Sequence, residues 1–344
     1  MSYNTGMDWQ IYGHDWAVKL LQTHAGGEKL RHAYLFAGPE GVGRRTLALR
    51  FAQALNCSAP PAPGAFCGTC RNCQQIQSMR HPDLDLVVPE EGHQDVLIDQ
   101  IRELQHRLAL APYAAAYRIA LLPDVQHVTE QAQNALLKTL EEPPDKVVLL
   151  LTVNALESLL PTIVSRCEVL RMRSASVTST QAYLQSTRAL TQENAVLIAH
   201  LSGGRIGAAI QLAEGPGALL RRQEVLESFF ELFPAKYYER FKAAEELASP
   251  YAMARQKVSE VLPVWLSFWR DVFIRSSGSK LPIINVDLGT QVDYAAGILD
   301  MATARQLVLA HETALKQIAL NANIRLVVET LMLHLPVLSP PEMV

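Results

Sequence analysis

Up to about residue 172, short apolar runs alternate with longer stretches in which apolar residues recur every three or four positions. The runs at 33–37, 84–88, 119–122 and 147–153 have the character of strands buried on both faces of a parallel sheet. The stretches at 46–55, 99–110 and 129–142 repeat at helical spacing, and the last stops at Pro143-Pro144, where neither residue can donate a backbone hydrogen bond. This alternation predicts an α/β domain. From about residue 174 strand signals fade. Helices are expected at 191–199 and 206–214, with Gly203-Gly204 between them, and after a Gly215-Pro216-Gly217 linker at 218–233, 251–275, 293–319 and 323–335. Trp265, Phe268 and Trp269 share one helix face, which serves either as core or as a subunit contact.

Between the first strand and the first of these helices lies Gly38-Pro39-Glu40-Gly41-Val42-Gly43-Arg44-Arg45-Thr46. It is the frame of a phosphate-binding P-loop, G-x-x-x-x-G-K-[ST], with Arg44 in place of the lysine and Arg45 in place of the magnesium-binding hydroxyl. Backbone N–H groups at the start of the helix can still attract an anion, and Arg44 can still fork onto a phosphate. Thr46 comes one residue late, and a step of about 100° around the helix turns its hydroxyl away from the metal position. Asp124 follows the third apolar run, where an acidic residue would complete such a site, but Val125, Gln126 and His127 supply no carboxylate to activate water. The loop, Asp124 and Asn154 all follow strands, on the sheet edge where ligands bind in this fold class. Hydrolysis is not expected; weak ATP or ADP binding stays open.

Cys57, Cys67, Cys70 and Cys73 form a C-x9-C-x2-C-x2-C cluster in a Pro-, Ala- and Gly-rich segment. Two-residue gaps let successive sulfurs face one ion, so a structural zinc site is expected in a module at about 56–80, with His81 outside the ligand set. Disulfides fit poorly, because residues 1–10 lack the basic-then-apolar pattern of a secretory leader. The chain has 344 residues, 49% of them hydrophobic, enough for two or three cores. No apolar stretch reads as a membrane span. A net charge of −3 argues against a stand-alone basic nucleic-acid binder, although the helix at 101–108, with Arg102, His106 and Arg107, offers either a DNA contact or an ordinary solvated face.

Several segments together resemble the AAA+ clamp-loader subunits of bacterial DNA polymerase III, and among them the delta-prime family. They are His32-Ala33-Tyr34-Leu35-Phe36, the four cysteines, the Asn-Ala-Leu-Leu-Lys-Thr-Leu-Glu-Glu-Pro-Pro stretch from Asn134 to Pro144, and Ser165-Arg166-Cys167. Gly203-Gly204-Arg205 resembles the second-sensor motif of the lid domain, and Asn321-Ala322-Asn323 resembles the collar helix. The resemblance implies an AAA+ domain over 1–172, a helical lid over 173–214 and an all-α collar over 215–344. It implies that Ser165-Arg166-Cys167 presents Arg166 as an arginine finger to ATP on a neighbouring subunit. Comparable fingers in GTPases contribute on the order of 10³ to 10⁵ in rate. Cys167 would then be a small buried residue, and Arg205 could touch any nucleotide in the degenerate loop.

The implied role is that of a cytoplasmic, non-hydrolysing component of the DNA polymerase III holoenzyme. Its partners would be gamma/tau and delta subunits, with the sliding clamp and primer–template DNA met within the assembly. Two other readings stand beside it: an active gamma/tau-like ATPase in which Arg44 substitutes for lysine, and a zinc-dependent DNA-binding module of repair or recombination.

Overall fold

The computed structural model describes residues 9–27, 29–90, 93–188, 190–215 and 217–338. Pro216 of the expected linker and residues 1–8 lie outside the described residues. The chain forms two compact units, one reaching to Ser176 and including Gly204–Ala208, the other comprising Val177–Gly203 and the residues from Ala209 onward.

The first unit runs α1 (Asp15–Ala25), β1 (Ala33–Ala37), α2 (Arg44–Asn56), α3 (Arg71–Gln77), β2 (Leu84–Leu86), α4 (Ile98–Leu108), β3 (Arg118–Leu122), α5 (Glu130–Glu141), β4 (Val147–Val153), α6 (Pro161–Val164) and β5 (Glu168–Arg171). Its five strands are all parallel, in the order β2-β3-β4-β1-β5. Successive side chains on a strand point to opposite faces. Tyr34, Phe36 and Leu150 therefore pack with Leu47 and Phe51 of α2 on one face, while Leu35, Leu149 and Leu151 pack with Leu104, Leu136 and Ile163 on the other. Helices on both faces explain why the expected strands at 33–37, 119–122 and 147–153 read as continuous apolar runs. The run expected at 84–88 pairs only over Leu84–Leu86.

The second unit is helical among the described residues: α7 (Val177–Arg188), α8 (Gln192–Leu201), α9 (Ile206–Glu214, its first turn in the first unit), α10 (Ala218–Glu231), α11 (Tyr237–Leu247), α12 (Tyr251–Ser276), α13 (Gly289–Ile298), α14 (Met301–Ala319) and α15 (Ile324–His334). The single helix expected over 293–319 is two. Asp300 breaks it, because its carboxylate accepts the Thr303 N–H at 2.7 Å and caps a new helix instead of continuing the old one. Trp265, Phe268 and Trp269 are at most 2% exposed and so belong to the core. Phe229 stacks on Trp265 at 4.8 Å, and Phe233 on Trp269 at 5.5 Å. No helix among the described residues is long and apolar enough to cross a membrane.

Arg240 is 1% exposed, and no carboxylate pairs with it among the contacts of the described residues. Its guanidinium instead donates to the carbonyls of Leu232 and Phe233, just past α10, and of Met332, Leu335 and Pro336 at the end of α15. Helix C-termini leave carbonyls without intrahelical partners and carry partial negative charge. One cation satisfies two such ends. Arg240→Ala would strip these buried carbonyls of their shared donor and should therefore lower the stability of the helical unit by at least about 1–3 kcal/mol, read as a fall in the urea midpoint.

His311 is fully buried, its Nδ1 lying 2.8 Å from the Leu307 carbonyl, and burial pushes its pKa down to about 4. The folded chain then binds fewer protons at this site than the unfolded chain, whose histidine titrates near its ordinary value. Stability is retained above about pH 6.5 and lost progressively as pH falls to about 4, by roughly 3 kcal/mol in all. A stability-against-pH series should flatten by that amount between these limits in His311→Gln.

Candidate functional site

The degenerate loop joins β1 to α2. Gly43 caps α2 at φ +105°, and Gly38 donates its N–H to the Val153 carbonyl at 3.1 Å, tying the loop to the end of β4. Arg44 does not reach into an open cradle. It is 7% exposed, and its Nη2 donates to Asp124 Oδ1 at 3.0 Å, so the replacement for the P-loop lysine pairs with the acid expected to serve magnesium. Burial lowers the Arg44 pKa, while the charges of Asp124 and Glu40 work in the opposite direction and keep the cation.

Asp124 is fixed from several sides. Its backbone sits in the left-handed region, its N–H donates to Thr152 Oγ1 at 2.9 Å, and Gln126 Nε2 donates to its Oδ1 at 3.3 Å. Gln126 Oε1 in turn accepts the Asn154 N–H at 3.3 Å. The structure thus gathers Arg44, Asp124 and Asn154 at one edge of the sheet, joined through Gln126 and Thr152. Neither of these linking residues stands out in the sequence. Arg45 is exposed and donates to Met79 Sδ, and Thr46 is exposed as well.

The segment Gly204–Ala208 lies against the same loop. Ala208 donates its N–H to the Gly41 carbonyl at 3.2 Å, and Arg205 Nη1 donates to the Glu40 carbonyl at 3.3 Å. The approach requires glycine twice. A Cβ on Gly41, at φ +77°, would stand 2.8 Å from that of Ala208, and one on Gly207 would stand 2.7 Å from the Gly41 oxygen. The expected second-sensor arginine therefore contacts the backbone of the loop.

Cys57, Cys67, Cys70 and Cys73 converge, with all four sulfurs within 4.8 Å of one another. Cys57 Sγ lies 3.5 Å from Cys67 Sγ and 4.0 Å from Cys70 Sγ. Four sulfurs at the usual zinc–sulfur bond length of about 2.3 Å stand about 3.8 Å apart, so the donor set fits one tetrahedral ion. The backbone N–H groups of Cys67, Cys70 and Cys73 donate to Cys57, Cys67 and Cys70 sulfur. Burial pushes the Cys73 thiol up, whereas at Cys70 hydrogen bonds with Ser58 and Cys73 outweigh burial and hold the thiol at about 6.

The module is docked on α2. Gln53 Nε2 donates to the Cys73 carbonyl, Asn72 Nδ2 donates to the Asn56 carbonyl, and the Arg50 guanidinium lies 5.3 Å over the Phe66 ring. His81 is turned elsewhere, its Nδ1 accepting the Asp83 N–H at 3.0 Å.

Ser165 and Arg166 follow the short helix α6. Ser165 Oγ donates to the Thr162 carbonyl at 3.0 Å. Arg166 is 34% exposed, and it donates from Nη1 to the Thr162 carbonyl at 2.9 Å and from Nη2 to Glu141 Oε1 at 2.6 Å. In the sequence Glu141 belongs to the Asn134–Pro144 stretch, and nothing there pairs it with Arg166. Cys167 packs beside the sheet, where burial pushes its thiol up to about 12, and it lies outside the four-sulfur cluster. On α4, Arg102 pairs with Asp99 at 3.0 Å and Arg107 with Asp85 at 3.3 Å, so these cations of the basic helix are engaged by carboxylates of the chain itself.

Elemental analysis of the purified chain should give about one zinc per molecule, and Cys70→Ser should lose the metal and melt at a lower temperature. A wild-type content well below one ion would overturn the site.

A family model described as "DNA polymerase III, delta subunit" matches residues 13–176. The DNA polymerase III delta-prime subunit of Pseudomonas aeruginosa is 36% identical over 220 residues, an alignment covering 63% of this chain and 66% of that protein. The delta-prime subunit of Bacillus subtilis is 27% identical over 318 residues, covering 92% of this chain and 94% of its own length. The tau subunit of Bacillus subtilis is 32% identical over 158 residues, which is 46% of this chain but only 27% of that protein. The chain belongs to the family of DNA polymerase III delta-prime subunits.

Proposed function

We propose that this chain is a delta-prime-like, non-hydrolysing subunit of the clamp loader of DNA polymerase III. It supports ATP-dependent loading of a sliding clamp onto primed DNA in the cytoplasm. Residues 1–172 are its AAA+ domain, residues 173–214 form a lid and 215–344 a collar that holds neighbouring subunits. Gamma/tau and delta subunits are its partners, and clamp and primer–template DNA are met within the assembly. Zinc is structural, since four protein sulfurs leave no coordination position for a substrate or a reactive water.

The observation that carries the non-hydrolysing reading is the Arg44–Asp124 pair. An ATPase of this class presents a lysine to the β- and γ-phosphates and carboxylates to magnesium and water. Here the cation and Asp124 neutralise each other, Arg45 faces Met79 and Arg205 faces the Glu40 carbonyl. These contacts speak equally against an active motor in which Arg44 replaces lysine. Arg166, by contrast, stands partly exposed beyond α6, and we assign it as the finger offered in trans, with Ser165 shaping the turn before it.

The isolated chain should hydrolyse ATP no faster than background. Turnover above background that Asp124→Ala abolishes would overturn the reading. Combined with its motor partners and primed DNA, the Arg166→Ala chain should support at least tenfold less ATP turnover than wild type.

A further inference from the structure

Arginine carries considerable rotamer freedom, and a finger that must find its orientation at each encounter loses rate to that search. In this chain the Arg166 guanidinium is gripped at two different nitrogens: Nη1 by the Thr162 carbonyl and Nη2 by Glu141. Two anchors on a planar group fix its plane, while its side chain remains 34% exposed and has further N–H donors for a ligand. The Glu141 contact is charge-assisted and short, at 2.6 Å.

The carboxylate is itself held in place. Glu141 is the last residue of α5, the prolines at 143 and 144 prevent that helix from extending, and Leu136 and Leu140 anchor it in the core. Gln133 Oε1, also on α5, accepts the Leu160 N–H at 3.3 Å and so ties α5 to the start of α6. Glu141 and Thr162 therefore belong to one block. With Glu141 51% exposed, the ion pair contributes little to folding stability, which leaves orientation of the guanidinium as its main effect.

We infer that Glu141 is a positioning residue for Arg166, holding the guanidinium in the orientation in which it meets the phosphates of ATP on a neighbouring subunit. This rests on the assignment of Arg166 as a finger in trans. Charge alone does not do the work, since the carboxylate reduces the net positive charge; what it supplies is a donor arranged before the encounter.

The test uses the complex reconstituted with its ATP-hydrolysing partner subunits and primed DNA, comparing wild type, Glu141→Gln, Glu141→Asp, Arg166→Ala and the Glu141→Gln/Arg166→Ala double variant. Glu141→Gln should lower kcat by roughly three- to tenfold with the KM for ATP and the melting temperature of the chain unchanged. Glu141→Asp should recover part of the loss, and adding Glu141→Gln to Arg166→Ala should change nothing further. A deep loss in Arg166→Ala beside wild-type or raised turnover in Glu141→Gln overturns the inference and leaves the finger standing. Additive losses in the double variant, or a kcat loss accompanied by a lower melting temperature, reduce Glu141 to a structural residue. Unchanged turnover in Arg166→Ala removes the finger and this inference together.

Discussion

Arg44 and Asp124 follow two strands that are not neighbours, since β4 lies between β1 and β3, and their ion pair crosses the end of that intervening strand. Thr152, near the end of β4, holds the Asp124 backbone, while Gly38 is bonded to the Val153 carbonyl. Loop, acid and strand ends thus form one hydrogen-bonded block. In a competent nucleotide site of this architecture the residue at the Arg44 position is a lysine that faces the phosphates, and the acid at the Asp124 position serves the metal. Here the side chains meet directly.

The loop is tied at further points. Ala208 and Arg205 bond to the loop backbone itself, so the helix start at Ile206 is fastened to it. The four-cysteine module is fastened to the other end of α2 through Gln53 and Asn56. On the proposed reading these ties suit a subunit whose value to an assembly is a fixed surface. On the same reading, Arg166, held by Glu141 and Thr162 and partly exposed, is the cation offered to a neighbour.

Much of this was legible in the sequence. Strands β1, β3 and β4 announce themselves because burial on both faces leaves no polar position in their central residues, and the cysteine spacing specifies its own geometry. Other features were not legible, for physical reasons. Strand β5 is an edge strand of four residues that begins at Glu168 and ends at Arg171, too short and too polar to show a period. The break at Asp300 depends on a single side chain choosing a cap over a helix, a contest that apolar spacing does not record. Of the site residues, the glycines, Arg44 and Asp124 could be placed from the motif, but their mutual pairing could not, because it joins side chains 80 positions apart. Glu141 was hidden for the same reason. Arg240 is an extreme case: in the sequence it is one more charged residue on a polar helix, and only the meeting of two helix ends gives it a buried role.

Arg240 also constrains the order in which the helical unit can mature. The carbonyl of Leu335 that it binds lies 95 residues downstream, and the Leu338 N–H closes back onto Phe233 at 3.2 Å. On the ribosome, the end of α10 and the guanidinium beside it emerge well before the segment that shields them. During that interval a charged side chain destined for the interior must remain hydrated, and the aromatic residues stacked around Phe229 and Phe233 lack their final cover. Helix α15 must therefore be in place before Arg240 has its full set of carbonyl partners.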